Sequence, residues 1–426
     1  MMNQLRPPMA RAARRPLRSA LQRTAAVIAL TLGLSGCNTR GALPGVLYIA
    51  ISVSRQESIS PELVLELQKR FQQLETAFQH VYPRTRVQFN IYPNEQLLAA
   101  IRRRTQAGLG PDLLFVNAET SRTLLQEGLS VPYPASPTEL AAFEPAEVQR
   151  LRTHQGALIG LPLLVQTQMA CFNRLALPQP PSTVTELLAI SAAGHPIGLA
   201  SDINSLFWSA GSLGAIAGIN QALAGQEPNP QQRAGIERWL TWLQDANSQQ
   251  RVMFYTHQDT AERDLSNGRL DWIPCRSTSL PTLNQRMGAN LGVTPLPNGD
   301  GLEASPINEL RLLVLGRNSS RAGRERALAF GHFAMNPLIQ RNITVDSKTF
   351  MPANIHVRVP VLSSSVLAAM ATANVQGRRS NQTLSAIDSD DARVSAAQEL
   401  VNSLLFGETS PRNGTTALIR LLRRQP

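Results

Sequence analysis

The chain has 426 residues, a formal charge of +11 and 5% aromatic residues. Six of the eleven excess positive charges come from arginines within the first 23 residues, so the remaining chain carries a formal excess of five. The remaining arginines are scattered, with no basic helix interleaved with aromatic residues, and nucleic acid is therefore excluded as the expected partner.

The first 36 residues predict an export signal. An apolar run over residues 24–34 follows the six arginines, and its length of about eleven residues is roughly half of what a membrane-spanning helix needs. A basic segment followed by a short apolar run is typical of a secretory signal peptide. We therefore expect the rest of the chain to lie outside the cytoplasm.

The end of the apolar run resembles the lipobox of bacterial lipoproteins. Leu34, Ser35 and Gly36 precede Cys37. This resemblance implies cleavage before Cys37, acylation of Cys37 as a membrane anchor, and a short linker over residues 37–44. An ordinary secretory signal that contains a cysteine is the alternative.

About 390 residues remain after such cleavage, which is too many for one ordinary hydrophobic core and predicts two lobes. Cys171 and Cys275 suit either a disulfide in an exported protein or two buried thiols. The six histidines show no paired spacing, so we expect no metal site and no cofactor. Gly211, Gly214 and Gly218 indicate close helix packing, because no preceding strand and following acidic residue complete a nucleotide-binding motif.

The first lobe begins with alternating strands and helices. Three runs have the apolar patterns of strands: 45–52, 86–92 and 111–117. Between the first two, Ser60 and Pro61 suit the start of a helix whose apolar residues recur at steps of three and four. A second helix is predicted over residues 94–108. This order is typical of an α/β lobe with crossover helices.

The alternation continues through the rest of the chain. Strands are predicted over 159–173, 196–201, 270–275, 291–299 and 310–316, and helices over 183–191, 205–218, 232–245, 324–335 and 392–406. Trp239 and Trp242, three residues apart on one of these helices, are expected to pack in the core. Residues 362–392 are polar and are predicted to be less regular.

The order and the amino-acid sequences of these segments resemble those of the family 1 extracellular solute-binding proteins of ABC importers, the group that contains the maltose-binding proteins. Four stretches carry the resemblance: 110–129, 156–188, 261–275, and 291–301 together with 319–344. The resemblance implies a two-lobed periplasmic binding protein fold of type II, in which each lobe is a sheet flanked by helices and strands join the lobes as hinges. The implied ranges are 45–160 and 298–345 for lobe I, 165–292 and 350–426 for lobe II, and 160–166, 292–298 and 345–350 for the hinges.

The resemblance also implies the function. The chain would be a monomeric lipoprotein on the periplasmic side of the membrane, and it would capture a small solute between its lobes and deliver it to an ABC permease. The implied ligand-binding residues are Ser54, Arg55, Asn117, Glu119, Gln166, Trp208, Arg276 and Asn308. Trp208 would stack on a sugar, although a core position is the alternative for this residue.

Departures from the maltose-type pattern bear on the ligand. Val116 stands where that pattern has a tryptophan, residues 276–279 stand where another aromatic is expected, and Arg393 lies near the place of a third. With few aromatic faces, a small sugar, a disaccharide or a glycosylated compatible solute is expected rather than a long sugar chain. A lipoprotein of the same fold that acts as a sensor or assembly partner without transport is the alternative. An enzyme is not expected, because no nucleophile, base and orienting group can be named.

Overall fold

The computed structural model describes residues 45–53, 61–384 and 392–424, with side chains left out for residues 61–70, 379, 382 and 384. The export signal, Cys37, Ser54 and Arg55 therefore lie outside the described residues. None of the helices in the described ranges has the length and apolar character that crossing a membrane requires. Within the same ranges, no group of three metal-ligating side chains comes together.

The described chain alternates between strands and helices. In chain order the strands are β1 (Gly45–Val53), β2 (Thr85–Pro93), β3 (Leu113–Asn117), β4 (Ser130–Val131), β5 (Leu161–Gln166), β6 (Gln168–Asn173), β7 (Ile197–Ala200), β8 (Val252–Tyr255), β9 (Trp272–Arg276), β10 (Leu291–Thr294), β11 (Glu309–Gly316) and β12 (Met351–Pro352).

The helices follow the same chain order. They are α1 (Pro61–Val81), α2 (Asn94–Gln106), α3 (Ala118–Gln126), α4 (Pro137–Leu140), α5 (Pro145–Arg150), α6 (Val184–Ala192), α7 (Ile203–Leu206), α8 (Trp208–Ser212), α9 (Ile216–Leu223), α10 (Pro230–Ser248), α11 (Gln258–Ser266), α12 (Leu280–Met287), α13 (Arg321–Ala334), α14 (Pro337–Ser347), α15 (Ser365–Leu384), α16 (Ala392–Leu405) and α17 (Pro411–Leu422).

The described strands form two sheets, each of which defines a lobe. The sheet of lobe I has the order β12, β5, β11, β3, β1, β2, and β4 also pairs with β11. Its β1 and β3 are parallel, with Ile49 opposite Leu113, whereas β11 is antiparallel to both β3 and β5. The sheet of lobe II has the order β10, β6, β9, β7, β8. This mixed α/β arrangement of two sheets flanked by helices is the two-lobed fold that the sequence predicts.

The chain first crosses between the sheets at Thr167. β5 ends at Gln166 in the sheet of lobe I, and β6 begins at Gln168 in the sheet of lobe II. The sequence predicts a single strand over residues 159–173, since nothing in this apolar run marks the change of sheet. The first crossing therefore takes one residue.

The second crossing comes later than the sequence predicts. Asn298 donates its backbone N–H to the carbonyl of Ser182, and Ser305 donates its own to the carbonyl of Trp208, each at 2.8 Å. These bonds keep residues 295–305 packed on lobe II. The chain therefore joins the sheet of lobe I only at Glu309, and the predicted hinge at 292–298 is placed too early.

The third predicted hinge also ends too early for the sheet. β12 pairs with β5, with Met351 opposite Val165, so residues 351–352 still belong to the sheet of lobe I. Beyond Pro352 the chain continues into α15, which packs on β6 and β10 of lobe II and on α5 and β12 of lobe I. The C-terminal helices α16 and α17 pack on α10 of lobe II.

Helix α15 is the largest element that the sequence prediction misses. Five of its polar residues are buried: Asn374, Gln376, Ser380, Asn381 and Thr383. The apolar stripe of Leu367, Met370 and Ala373 covers only the first half of the helix, and the second half buries polar side chains instead. The apolar period from which a helix is recognised therefore stops early. The prediction of a less regular segment over 362–392 is therefore wrong for residues 365–384.

Tryptophan side chains form the centre of the lobe II core. Trp208, Trp239 and Trp272 are each at most 1% exposed, and Trp242 is 6% exposed. The ring of Trp208 lies 5.9 Å from that of Trp242 and 6.2 Å from that of Trp272, measured between centroids. The expected core positions of Trp239 and Trp242 are confirmed.

Close packing at the glycines around this core is also confirmed. A Cβ atom at Gly211 would lie 2.6 Å from the carbonyl oxygen of Glu303, and one at Gly218 would lie 2.6 Å from that of Gln232. Neither distance is possible for a real side chain, so only glycine permits these segments to touch.

Cys171 and Cys275 form a disulfide between neighbouring strands. Cys171 lies on β6 and Cys275 on β9, and their Cα atoms are 5.7 Å apart. The two strands are antiparallel, with Met169 opposite Cys275. The bond closes a loop that contains much of lobe II.

A buried acid joins α15 to lobe I. Glu147 on α5 is 5% exposed and accepts a hydrogen bond from the Asn381 amide at 3.1 Å. Burial raises the pKa of the Glu147 carboxyl above its ordinary value, although the Asn381 bond and the charges of Arg378 and Arg150 oppose the shift. The negative charge of Glu147 is therefore only partly compensated.

Glu147→Gln is expected to raise the free energy of unfolding at pH 7.5 by about 1 kcal/mol, because the amide keeps the acceptor and removes a desolvated charge. The raised pKa of folded Glu147 means that the folded chain binds more protons than the unfolded chain. The stability of the wild type therefore falls as the pH rises from the unfolded-state pKa of Glu147 through its folded-state pKa. Urea unfolding of both proteins from pH 4 upward measures this difference, which should shrink toward the acidic end. Glu399→Gln is the control, since Glu399 is an exposed acid on α16. A Glu147→Gln variant less stable than wild type at pH 7.5 would contradict the expectation.

Candidate ligand-binding site

The strands of lobe I bring polar residues together at the edge that faces lobe II. Phe115 of β3 lies opposite Ile51 of β1, so Val53 and Asn117 end these two strands at the same level. Arg311 of β11 lies opposite Asn117, and Glu309 lies opposite Gln166. We call the set Asn117, Glu119, Gln166 and Glu309 the interlobe edge.

Asn117 and Glu119 stand at the start of helix α3. The side-chain oxygen of Asn117 caps the helix by accepting the backbone N–H of Thr120 at 2.8 Å. Glu119 follows in the first turn and is exposed. This position presents an exposed carboxylate in the first turn of the helix.

Gln166 bridges the two lobes beside the first crossing. Its amide donates to the hydroxyl of Thr278 at 2.8 Å, and the backbone of Thr167 exchanges bonds with Ser277. The hydroxyl of Ser277 also donates to the carbonyl of Thr349 at 2.6 Å. Gln166 is 2% exposed, so its side chain contributes mainly to the contact between lobes in this conformation.

Arg276 and Glu309 form an ion pair between the lobes. Arg276 ends β9 in lobe II, Glu309 begins β11 in lobe I, and their charged groups are 3.5 Å apart. The two side chains are 29% and 27% exposed. Glu309 was not among the predicted site residues, although its alternation with Arg311 in an apolar run was a usable signal.

Arg311 is a second residue that the sequence prediction misses. It is 5% exposed, lies over the ring of Phe115 at 4.9 Å, and donates to the carbonyl of Ser52 and, at 3.3 Å, to that of Phe115. These contacts tie the ends of β1 and β3 together beneath Asn117. Arg311 therefore supports the interlobe edge from inside lobe I.

Two predicted site residues lie in the packed interior instead. Trp208 has no exposed surface, so it offers no face to a ligand in this conformation. Asn308 is 4% exposed and donates to the carbonyl of Ala373 at 3.1 Å. Gly377 leaves the space for that amide, since a Cβ atom there would lie 2.1 Å from the Asn308 nitrogen.

The predicted residues thus fall into three groups. Asn117, Glu119, Gln166 and Arg276 lie at or beside the interlobe edge, Trp208 and Asn308 are buried, and Ser54 and Arg55 follow the last described residue of β1. The edge supplies amides and carboxylates, and its lobe II neighbours Thr278 and Arg276 add a hydroxyl and a guanidinium. Such groups both donate and accept hydrogen bonds, which is what the hydroxyl groups of a sugar require.

A separate cavity of about 300 Å³ lies on one face of the lobe I sheet. Side chains from the sheet, α1, α13 and α14 surround it, among them Ile51, Phe71, Phe115 and Phe330. Most of the lining is apolar, and its polar members Gln73, Asn342, Asp346 and Ser347 are too few to pair the hydroxyl groups of a buried sugar. The interlobe edge is therefore the better candidate site.

Comparison with solved structures identifies the fold. The chain matches the GacH receptor of Streptomyces glaucescens GLA.O, solved in the unliganded form and with acarbose and an acarbose homolog, at 15% identity and a TM-score of 0.61 over 90% of this chain and 100% of that one. It matches the maltodextrin-binding protein MalE1 of L. casei BL23 at 15% identity and a TM-score of 0.64 over 89% and 99% of the two chains.

The maltose-maltodextrin-binding protein of Alicyclobacillus acidocaldarius gives 17% identity and a TM-score of 0.64 over 89% of this chain and 100% of that one. No protein-family model and no curated protein sequence matches the chain. The chain therefore has the two-lobed fold of the maltose- and maltodextrin-binding proteins.

Proposed function

We propose that the protein is the sugar-binding subunit of an ABC importer. The observation that carries the proposal is the interlobe edge of lobe I, which Thr278 and Arg276 of lobe II contact beside the single-residue crossing of a two-lobed fold. Closure of two lobes around a ligand is a hinge motion, and it makes capture of the ligand and recognition by a permease one equilibrium. The solved relatives named above bind maltodextrins or acarbose, which supports a carbohydrate ligand.

The proposed protein is anchored to a membrane and binds its ligand between the lobes. Acylation of Cys37 would anchor the protein on the periplasmic side of the membrane as a monomer that serves an ABC permease. Asn117 and Glu119 of lobe I, with Ser54 and Arg55, would face Arg276 of lobe II across the ligand. Without an exposed Trp208, a small sugar, a disaccharide or a glycosylated compatible solute fits this polar site better than a long chain.

A thermal-shift panel tests the ligand class. The chain from residue 38 onward is mixed with maltose, maltotriose, acarbose, other disaccharides, glycosylated polyols, amino acids and polyamines. A ligand that binds only the folded state adds about 2.7 kcal/mol of stability at a hundredfold excess over its Kd. We expect a clear shift with a glycoside, and a shift confined to amino acids or polyamines would contradict the proposal.

Glu119→Gln is expected to weaken binding of that glycoside about tenfold, because a hydrogen bond to a charged group contributes about 1.5 to 3 kcal/mol. Calorimetric titration measures the affinity. Glu325→Gln is the matched control, since Glu325 is also an exposed acid near a helix start, on α13 of lobe I. Equal affinities in the two variants would place the ligand away from Glu119.

A lipoprotein that acts as a sensor or assembly partner without transport is the second candidate. The burial of Trp208 favours it, because it removes an aromatic face that sugar binding commonly uses. Small-angle scattering with and without the panel compounds separates the two roles. Ligand-dependent compaction supports import, whereas a folded protein with no shift and no compaction supports the second candidate.

A further inference from the structure

Arginines concentrate at the end of lobe I that lies opposite the interlobe edge. β1 runs from Gly45 at this end to Val53 at the interlobe edge, a distance of about 30 Å for nine residues. The turns that start β2, end α2 and join β11 to α13 lie at the same end. We call this surface the basic pole, and its arginines are Arg84, Arg86, Arg102, Arg103, Arg104, Arg317, Arg321 and Arg324.

Contacts join the end of α2 to the start of β1 and to the turn between β11 and α13. Asn318, next to Arg317, donates to the carbonyl of Thr105 at 2.6 Å, which joins the β11 to α13 turn to the end of α2. Arg104 lies 4.8 Å over the ring of Tyr48 near the start of β1. Arg324 donates to the carbonyl of Gly316 at 3.0 Å.

The positive charge of the basic pole is only partly balanced. Arg102 pairs with Glu127 at 2.7 Å, and Arg321 pairs with Glu325 at 3.2 Å. Asp112, the third acid nearby, accepts the backbone N–H of Tyr48 and the hydroxyl of Ser319. Eight arginines against three acids leave an excess of five positive charges, which equals the excess of the whole chain without its signal arginines.

Four of the arginines are exposed and available to an external partner. Arg84, Arg86, Arg103 and Arg317 have no acidic side chain within ion-pair distance among the residues that the structure describes, and all four are exposed. Anionic phospholipid headgroups attract such residues by about 1 kcal/mol for each arginine near the surface. The charge of the pole therefore suits an anionic membrane.

The short chain between Cys37 and β1 limits how far this end of lobe I can lie from the membrane that holds Cys37. Cys37 lies eight residues before Gly45, and eight extended residues span at most about 30 Å. If Cys37 is acylated, as the proposed function has it, the start of β1 cannot leave the vicinity of the bilayer. The basic pole surrounds that same strand end.

We propose that the basic pole rests on the anionic phospholipid surface to which Cys37 is anchored. The lipid supplies the apolar attachment, and the arginines supply an electrostatic contact that sets the orientation of lobe I. A lipid chain combined with a basic patch is a known physical route to stable attachment. This inference rests on the proposed lipidation, but the charge of the pole can be tested without it.

Vesicle sedimentation tests the proposal. The chain from residue 38 onward, which carries no lipid, is mixed with vesicles of phosphatidylglycerol and phosphatidylcholine or of phosphatidylcholine alone. We expect binding to the anionic vesicles at low salt, and weaker binding as the Debye length falls from about 30 Å at 0.01 M to about 8 Å at 0.15 M. Equal binding to the two vesicle types, or none to either, would overturn the proposal.

Charge variants locate the contact. Replacing Arg84, Arg86, Arg103 and Arg317 with glutamine should lower the partition onto anionic vesicles, by about fivefold for each arginine that lies at the surface. The matched control replaces four exposed arginines of lobe II, Arg174, Arg251, Arg412 and Arg420, and has the same net charge. Binding that falls equally in both variants would overturn the proposal, because net charge alone would then explain it.

Two further readouts keep this inference separate from the proposed function. Both charge variants should retain the glycoside thermal shift and the melting temperature of the wild type, since the altered residues are exposed and distant from the interlobe edge. Membrane fractionation of the full chain against Cys37→Ala reports lipidation alone. A flat sugar panel with intact vesicle binding would therefore overturn the function and leave the basic pole in place, and the reverse pattern would do the opposite.

Discussion

Replacing Trp208 with alanine is expected to lower the free energy of unfolding by about 3 to 5 kcal/mol, as large-to-small substitutions of buried aromatic residues do. The indole has no exposed surface and packs against Trp242 and Trp272. Its removal would leave a cavity that this rigid cluster fills only in part. Urea unfolding of the ligand-free chain from residue 38, followed by tryptophan fluorescence and circular dichroism, measures the loss.

Phe406→Ala is the control, because Phe406 is an aromatic residue of the same lobe that is 81% exposed. Its loss should change the free energy of unfolding by less than about 0.5 kcal/mol. A ligand-free Trp208→Ala protein as stable as wild type, with weakened sugar binding, would instead show that Trp208 stacks on the ligand.

Removing the disulfide is expected to cost about 2 to 4 kcal/mol of stability. The bond between Cys171 and Cys275 closes a loop across 104 residues, which restricts the unfolded chain strongly. The double variant Cys171→Ala and Cys275→Ala, unfolded in urea beside the wild type, measures the cost. The size of the loop is the reason to expect a large effect.

A reductant provides the internal control for this prediction. Dithiothreitol present during urea unfolding should lower the stability of the wild type to about that of the double variant. It should leave the stability of the variant unchanged. If the oxidised wild type and the variant unfold at the same urea concentration, the two cysteines contribute as buried thiols and not as a cross-link.

Much of lobe I could be predicted from the sequence because its strands are locally distinct. The run that forms β1 is apolar and ends in serine-rich sequence, and the apolar steps of α1 are those of a helix facing a sheet. By contrast, α15 buries Gln376 and Asn381, whose hydrogen-bond partners Asn298 and Glu147 come from distant segments. A polar face of this kind can be recognised only when its partners are in place.

The candidate site was predicted in part for the same reason. Asn117 and Glu119 follow a buried strand, and their place at the interlobe edge depends only on that strand. Trp208 and Asn308 are polar or aromatic residues that could face either a ligand or the core, and their burial is decided by residues far along the chain, such as Trp272 and Ala373. Local sequence holds no information on that choice.

The single-residue crossing at Thr167 limits how the lobes can move. With one residue between β5 and β6, and with its backbone held by Ser277, the two sheets cannot be drawn apart at this point. The two sheets can only rotate about this hinge point. Displacements must then grow with distance from Thr167, so the Arg276 and Glu309 charges beside the hinge point stay close neighbours while the outer rims of the lobes travel farthest.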